Sequence, residues 1–131
     1  MTDMVEWLRG AIDGAELAAE QATSGPWVAH SPGFVDVEPV SRGRFVAMAA
    51  EVNADGSHVP LVLADAEHIA LHDPKAVLAR CVGDRKTLSL HRLDGAAEGR
   101  LRGFCVHCGW RFPCPDVRNL AHNGYGYREA E

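Results

Sequence analysis

Three of the four cysteines in this chain lie in one short stretch, Gly-Phe-Cys-Val-His-Cys-Gly-Trp-Arg-Phe-Pro-Cys, which spans residues 103–114. Cys105 and Cys108 are separated by two residues, and Gly109 follows the second of them. This is the form of a zinc knuckle, because two sulfur atoms at this spacing reach one ion and the glycine permits the tight turn. Cys114 is the natural third ligand. The stretch therefore predicts that the C-terminal part of the chain folds around a structural zinc ion.

A closed tetrahedral zinc site needs a fourth ligand, and the sequence offers four candidates. His91 is preferred, because it lies near the end of a predicted helix and its imidazole completes a Cys₃His set. His122, which follows the last predicted helix, is the alternative fourth ligand. His107 lies inside the Cys-x-x-Cys turn and is expected to point away from the metal, whereas Cys81 is expected to face the core.

Other uses of the cysteines stay open. A disulfide between Cys105 and Cys108 needs an oxidising compartment, and a thioredoxin-type pair starts a helix beside a βαβ unit, which this pair does not. Unliganded structural cysteines are a further alternative. A catalytic zinc is disfavoured, because nucleobase deaminases combine His-x-Glu with Pro-Cys-x-x-Cys and neither pattern occurs in the chain.

The whole sequence predicts a single α+β domain over residues 1–131, with an α+β core over 1–93 and a zinc-binding subregion over 104–123. An amphipathic helix is predicted over 3–22, starting from an acidic cap and ending at Ser-Gly-Pro. Short β-branched runs separated by turn residues then predict a small antiparallel meander of three or four strands. The runs are Trp-Val-Ala-His (27–30), Phe-Val-Asp-Val-Glu-Pro-Val (34–40), Arg-Phe-Val-Ala-Met-Ala-Ala-Glu-Val (44–52) and His-Val-Pro-Leu-Val-Leu-Ala (58–64).

Two consecutive helices are predicted after the meander. Asp65 is expected to cap a short helix over 66–72, and Asp73 is expected to cap a longer helix that begins at Pro74 and ends near Leu93. A last short helix is predicted directly after Cys114. The alanine-rich face of the helix over 3–22 suits packing inside the domain, and a homo-oligomer formed through this helix is the alternative.

His68 and His72 form a possible secondary site, since their spacing of four residues places them on one helical face. Zinc proteases use this spacing with a glutamate base next to the first histidine, in His-Glu-x-x-His, but here Ile69-Ala70-Leu71 separate the two rings. A surface pair is therefore the preferred interpretation, and a metal-dependent hydrolase is the weaker alternative. No other catalytic constellation stands out, so the sequence predicts a protein that is not an enzyme.

The formal net charge of −5 is unevenly distributed. Residues 1–65 carry 10 acidic and 3 basic side chains, whereas residues 66–131 carry 8 and 10. This balance gives no strong electrostatic footprint for duplex nucleic acid. A nucleic-acid-binding regulator remains the alternative function, with four arginines near the cysteines facing phosphate: Arg100, Arg102, Arg111 and Arg118.

A cytoplasmic location without membrane contact is expected. No apolar run approaches the roughly 20 residues that span a bilayer. The first residues are acidic and lack the basic start of a secretion signal. In the cytoplasm thiols stay reduced, which favours zinc over a disulfide.

Several blocks together carry a resemblance to a known family. They are Thr23-Ser24-Gly25-Pro26-Trp27, the run from His68 to Pro74, Cys105 with Cys108, Pro113-Cys114, and Tyr127-Arg128. The chain resembles domain of unknown function 6221, a family from actinobacteria and their phages, although Thr-Ser-Gly-Pro-Trp replaces the usual Thr-Pro-Gly-Pro-Trp. The first two blocks are also similar to Ead-like early proteins of temperate phages. The resemblance implies a small phage- or prophage-type accessory protein and no assigned activity, so we expect a protein that acts by binding a host or phage protein.

Overall fold

The computed structural model describes residues 3–31, 33–37, 45–47, 51–59, 61–93 and 103–129. It shows the predicted mixed α+β fold. The elements in chain order are helix α1 (Met4–Gln21), strands β1 (Trp27–His30), β2 (Phe34–Val37), β3 (Phe45–Ala47), β4 (Glu51–Val52) and β5 (His58–Val59), and helices α2 (Leu63–Leu71), α3 (Pro74–Leu90) and α4 (Pro115–Asn119). A π-helical turn, Leu120–Gly124, directly continues α4.

Internal contacts divide the chain into two compact units. Unit 1 contains Met1–Ala15 and Arg80–Glu131, and unit 2 contains Glu16–Ala79. The single domain over 1–131 stays a prediction. None of the helices in the described segments has the length and apolar character needed to cross a membrane.

Unit 2 contains a three-stranded antiparallel sheet in the order β1-β2-β3. Trp27 lies opposite Val37 and His30 opposite Phe34, so consecutive strands pair as a meander. Helix α2 lies against β1 and β2, and Val35 and Val37 of β2 are buried. This confirms the predicted antiparallel meander, and β4 and β5 form a separate two-stranded hairpin.

The predicted boundary between the last strand and α2 is wrong. Helix α2 begins at Leu63, after Val62 as its N-cap, and no side chain caps it. Asp65 lies in the first turn instead of capping the helix, because Leu and Ala are strong helix formers and extend the helix into what was predicted as the end of a strand.

Gly33 is required by a close approach of two backbone segments in unit 2. The Leu61 amide donates a hydrogen bond to the Gly33 carbonyl at 3.1 Å. A Cβ atom at position 33 would overlap the carbonyl oxygen of Leu61. Only glycine therefore lets the segment before α2 lie beside the β1–β2 turn.

The Asp73 side chain joins the two most characteristic blocks of the sequence. Its Oδ1 accepts a hydrogen bond from the Ala76 amide at 2.8 Å, which confirms the predicted N-cap of α3. Its Oδ2 accepts a second one from the Trp27 amide at 3.2 Å, at the start of β1. A Cβ atom at Gly25 would lie only 3.0 Å from that Oδ2. The Thr-Ser-Gly-Pro-Trp and His-Asp-Pro blocks thus meet at one buried carboxylate.

The core of unit 1 is formed by one face of α1 and one face of α3. Leu8 and Ile12 of α1 and Cys81 and Leu88 of α3 are buried, together with Val117 of α4. Asp3 caps α1 as predicted, because its Oδ1 accepts a hydrogen bond from the Val5 amide at 2.8 Å. Two apolar side chains of α3 are exposed, since Val82 and Leu90 are 70% and 45% accessible.

The C-terminal residues 125–127 pack within unit 1. The Tyr125 hydroxyl donates a hydrogen bond to an Asp84 carboxylate oxygen at 2.5 Å. Burial, then this bond and the negative charge of Asp84, raise the pKa of Tyr125 well above its ordinary value. The Tyr127 ring meets the Trp7 ring edge-on, with centroids 5.0 Å apart. These contacts fasten the end of the chain to α3 and α1.

Candidate metal centre

Residues 105–110 form a tight turn that presents the first two thiols. The Cys105 amide donates a hydrogen bond to the Trp110 carbonyl at 2.7 Å, and the Gly109 amide donates one to the Cys105 carbonyl at 3.1 Å. Gly109 has φ +74°, a left-handed conformation that side-chain-bearing residues rarely adopt. The glycine after the second cysteine therefore has the role that the sequence indicated.

The start of helix α4 fixes the third thiol. Cys114 is the N-cap residue of α4, and its carbonyl accepts a hydrogen bond from the Arg118 amide at 2.9 Å. The Phe112 amide donates to the Gly103 carbonyl at 2.8 Å, which ties the approach to Cys114 back to the segment before Cys105. The predicted short helix after Cys114 is thus present, and it orients the sulfur.

The end of helix α3 supplies the imidazole. His91 follows the last residue of α3, and its amide still donates to the Thr87 carbonyl at 2.9 Å. Leu93 then pairs with Cys105 in an isolated antiparallel bridge, and the Val106 amide donates to the Arg92 carbonyl at 2.9 Å. This pairing ends α3 at Leu90 instead of near Leu93, because residue 93 has become extended backbone. It also brings His91 beside the thiols.

The four ligand atoms of His91, Cys105, Cys108 and Cys114 all lie within 4.8 Å of one another. The His91 Nδ1 atom lies 3.7 Å from the Cys105 sulfur and 3.5 Å from the Cys114 sulfur. A zinc tetrahedron with a Zn–S bond of about 2.3 Å and a Zn–N bond of about 2.0 Å has an S–N edge of about 3.5 Å. Three of the four residues are buried and Cys108 is half-buried. The group therefore has the composition, size and enclosure of a structural metal site.

Asp116 faces the other nitrogen of the same imidazole. Its Oδ2 lies 3.4 Å from His91 Nε2. A carboxylate at Nε2 favours the tautomer with its proton there and leaves the Nδ1 lone pair directed at the sulfurs. Asp116 was not among the predicted site residues, although an acidic residue in the first turn of a helix that starts at a candidate ligand cysteine is a usable signal.

The thiols influence one another's ionisation. Burial opposes ionisation of Cys105, but the amide hydrogen bonds from Cys108 and His107 and the Cys108 and His91 side chains outweigh it and lower the pKa of Cys105 to about 7. Burial, with the neighbouring Cys105 and Cys108, raises the pKa of Cys114 to about 11. One thiolate thus hinders the next from ionising, and a bound cation would remove that conflict.

The other candidate ligands lie elsewhere. His122 Nδ1 is 2.9 Å from the Tyr127 carbonyl oxygen, and the Cys81 sulfur lies 3.8 Å from the Ile12 carbonyl oxygen in the core. The His107 ring contacts the His91 ring edge-on, with centroids 4.7 Å apart. All four cysteines are free of disulfides.

The possible secondary site is an exposed pair. The His68 and His72 rings lie 4.8 Å apart, but among the described residues no third histidine, cysteine or carboxylate joins them. Of the arginines proposed to face phosphate, Arg100 and Arg102 lie outside the described residues. The Arg118 Nε atom donates to the Pro113 carbonyl at 2.8 Å, so that side chain braces the backbone beside Cys114.

Comparison with known proteins gives one finding. A family model described as a family of unknown function, DUF6221, matches residues 1–129. No curated protein and no solved structure matches the chain.

Proposed function

Because the chain belongs to this family of unknown function, DUF6221, we propose its function from its metal centre: a non-enzymatic accessory protein that holds one structural zinc ion and binds a protein partner. The observation that supports a zinc site is the convergence of one imidazole and three thiols, with the Asp116 carboxylate beside the imidazole. Zinc is the metal for which a Cys₃His set is typical. The phage- or prophage-type role implied by the resemblance is part of the same proposal.

A structural role for the zinc follows from its ligand count. Four protein ligands complete a tetrahedron and leave no position for a reacting water. The ligands come from three separate pieces of unit 1, namely the end of α3, the turn over 105–110 and the start of α4. An ion held by all three links them in the way a buried core would in a larger domain.

Metal analysis of the purified protein tests the zinc. We expect one zinc per chain, lost on Cys105→Ser. Cys81→Ser is the matched control, because it removes the fourth cysteine from the core position near the Ile12 carbonyl and should leave the zinc content unchanged. A folded wild-type protein without zinc, or equal zinc loss in both variants, would refute the site.

Partner binding rests on apolar side chains exposed around the metal centre. Leu93, Val106 and Trp110, here called the knuckle surface, are 49%, 44% and 65% accessible. Their backbone segments are adjacent, because Leu93 pairs with Cys105, Val106 follows Cys105, and the Cys105 amide donates a hydrogen bond to the Trp110 carbonyl. An exposed tryptophan on a rigid turn is a frequent anchor of protein interfaces.

An affinity capture from a natural host tests the partner. The two baits are the wild-type protein and a double variant, Val106→Ser with Trp110→Ala. The matched control is Leu71→Ser, because Leu71 is an apolar side chain on α2 that is 72% exposed. We expect a protein that wild type and the control retain and the double variant loses. The absence of any specific partner, or one that the double variant still holds, would count against this surface.

A further inference from the structure

A cleft in unit 1 is lined by three arginines and one aspartate from two helices and the segment just beyond α3. Its walls are formed by Arg9 and Asp13 of α1, by Arg85, Leu88 and Ser89 of α3, and by Arg92, just beyond α3. The residues on α1 are four apart, and those from α3 onward follow the spacing 3, 4 and 7 of one helical face. The cleft encloses about 440 Å³, within the usual range for small-ligand sites.

The charges of the cleft are only partly compensated from within. Asp13 Oδ1 lies 2.8 Å from an Arg85 guanidinium nitrogen, which neutralises one cation. In the part of the chain that the structure describes, no ion pair or hydrogen bond involves the guanidinium of Arg9 or Arg92. Arg9 and Arg92 thus contribute two positive charges that no described ion pair neutralises, in a chain whose net charge is −5.

We propose that this cleft binds a small phosphate monoester. A phosphate monoester carries between one and a half and two negative charges near neutral pH, roughly the excess charge of the cleft. Arginine guanidinium groups match phosphate oxygens in geometry, and the Ser89 hydroxyl adds a donor. Leu88, 7% exposed, gives the cleft an apolar element for the organic part of the ligand.

The surrounding charges favour a small ligand over a nucleic acid. A duplex or a long single strand needs an extended basic surface. Helix α1 carries further acidic residues before and after Asp13, at Glu6 and Glu20, which repel a polyanion that extends along the helix. A compact dianion held inside the cleft avoids this repulsion. The site uses none of the metal ligands, so it goes beyond the proposed function.

Isothermal titration calorimetry of the zinc-loaded full chain with phenyl phosphate tests the site. We expect one-to-one binding with a Kd below about 1 mM, weakened by added salt. Inorganic phosphate should compete, and benzoate, with one charge and the same ring, should bind at least about tenfold more weakly. Arg9→Gln and Arg92→Gln should each lower the affinity for phenyl phosphate at least about tenfold.

Lys86→Gln is the matched control, because it removes one charge from α3 at a position outside the cleft and should leave the affinity unchanged. Zinc content and thermal unfolding of each variant separate a lost site from a lost fold. The proposal fails if phenyl phosphate does not bind, or if the two arginine variants bind as tightly as wild type or as Lys86→Gln. It also fails if a 5′-phosphorylated oligonucleotide binds at least about tenfold more tightly than phenyl phosphate, since the site would then belong to a nucleic acid.

Discussion

The imidazole of His91 faces thiols with one nitrogen and a carboxylate with the other. The distances are 3.5 and 3.7 Å from Nδ1 to the sulfurs of Cys114 and Cys105, and 3.4 Å from Nε2 to Asp116. Such carboxylate–histidine pairs raise the basicity of a ligand imidazole and hold its ring in one orientation. Asp116 is therefore placed to orient the His91 ring in the proposed site.

Replacing Asp116 with alanine is expected to lower zinc affinity by about 10- to 100-fold while the protein still folds at saturating zinc. Competition with a chromophoric chelator measures the affinity. Asn119→Ala, an exposed change on the same short helix, is the control and should stay within about threefold of wild type. Equal affinity of Asp116→Ala and wild type would show that the carboxylate has no role at the metal.

The metal-ligand hypothesis could be reached from sequence, because its information is local. The Cys-x-x-Cys spacing, the following glycine and the proline after Cys114 each describe a short piece of backbone. The preference for His91 over His122 needed only the position of His91 near the predicted end of α3. The roles of Asp116 and of the cleft arginines depend on which faces of distant segments pack together. The spacing of residues along the sequence does not give that information.

Two aspartates that were both predicted to cap helices, Asp65 and Asp73, have different roles in the structure. Both Asp65 and Asp73 precede or open apolar helical runs, but only Asp73 makes cap hydrogen bonds. Asp73 also accepts the Trp27 amide, and it is 8% exposed. The stability of α3 and the start of β1 thus depends on one carboxylate.

We expect Asp73→Ala to lower the free energy of unfolding by about 2–3 kcal/mol, because it removes a helix cap and a partly buried acceptor for a second amide. Asp65→Ala should cost less than about 0.5 kcal/mol, since its side chain caps nothing. Urea unfolding followed by circular dichroism measures both. Similar costs for the two substitutions would contradict the assignment of the cap to Asp73.

Helix α3 also anchors the end of the chain through the bond from Tyr125 to Asp84. Tyr125→Phe deletes only the hydroxyl that donates this bond, and we expect a loss of about 1–2 kcal/mol. Tyr127→Phe is the matched control, because its ring packs on Trp7 and its hydroxyl has no hydrogen bond among the described residues, so it should change stability by less than about 0.5 kcal/mol. Thermal unfolding distinguishes them, and equal effects would show that the hydroxyl bond contributes nothing.

The helices and first two strands could be predicted because hydrophobic period and turn residues agree along them. Residues 27–30 form the predicted strand, and α1 lies within one residue of the prediction at each end. One boundary error arose from long-range pairing, because Leu93 leaves its predicted helix to pair with Cys105. The other is local, because Leu63 joins α2 as a strong helix former although its run is rich in strand formers.

The two compact units differ in the kind of internal structure that stabilises each of them. Unit 2 has a paired sheet that lies against α2, and Val35 and Val37 of its central strand are buried. In unit 1 the segment over 103–119 contributes only isolated bridges, a tight turn and a five-residue helix, which are elements too short to be stable alone. The proposed zinc is therefore expected to stabilise that segment locally.

Hydrogen exchange with and without zinc tests this expectation. After removal of zinc by a strong chelator under reducing conditions, the amides of Cys105, Gly109 and Phe112 should lose protection, because their acceptors all lie within the segment that the ligands hold. The amides of β2, the central strand of its sheet, should keep theirs. Unchanged protection over 103–119 would mean that packing alone holds the cysteines together. Loss of protection in both regions would mean that the ion supports the fold of the whole chain, and the metal centre would then be a requirement for folding instead of a local clamp.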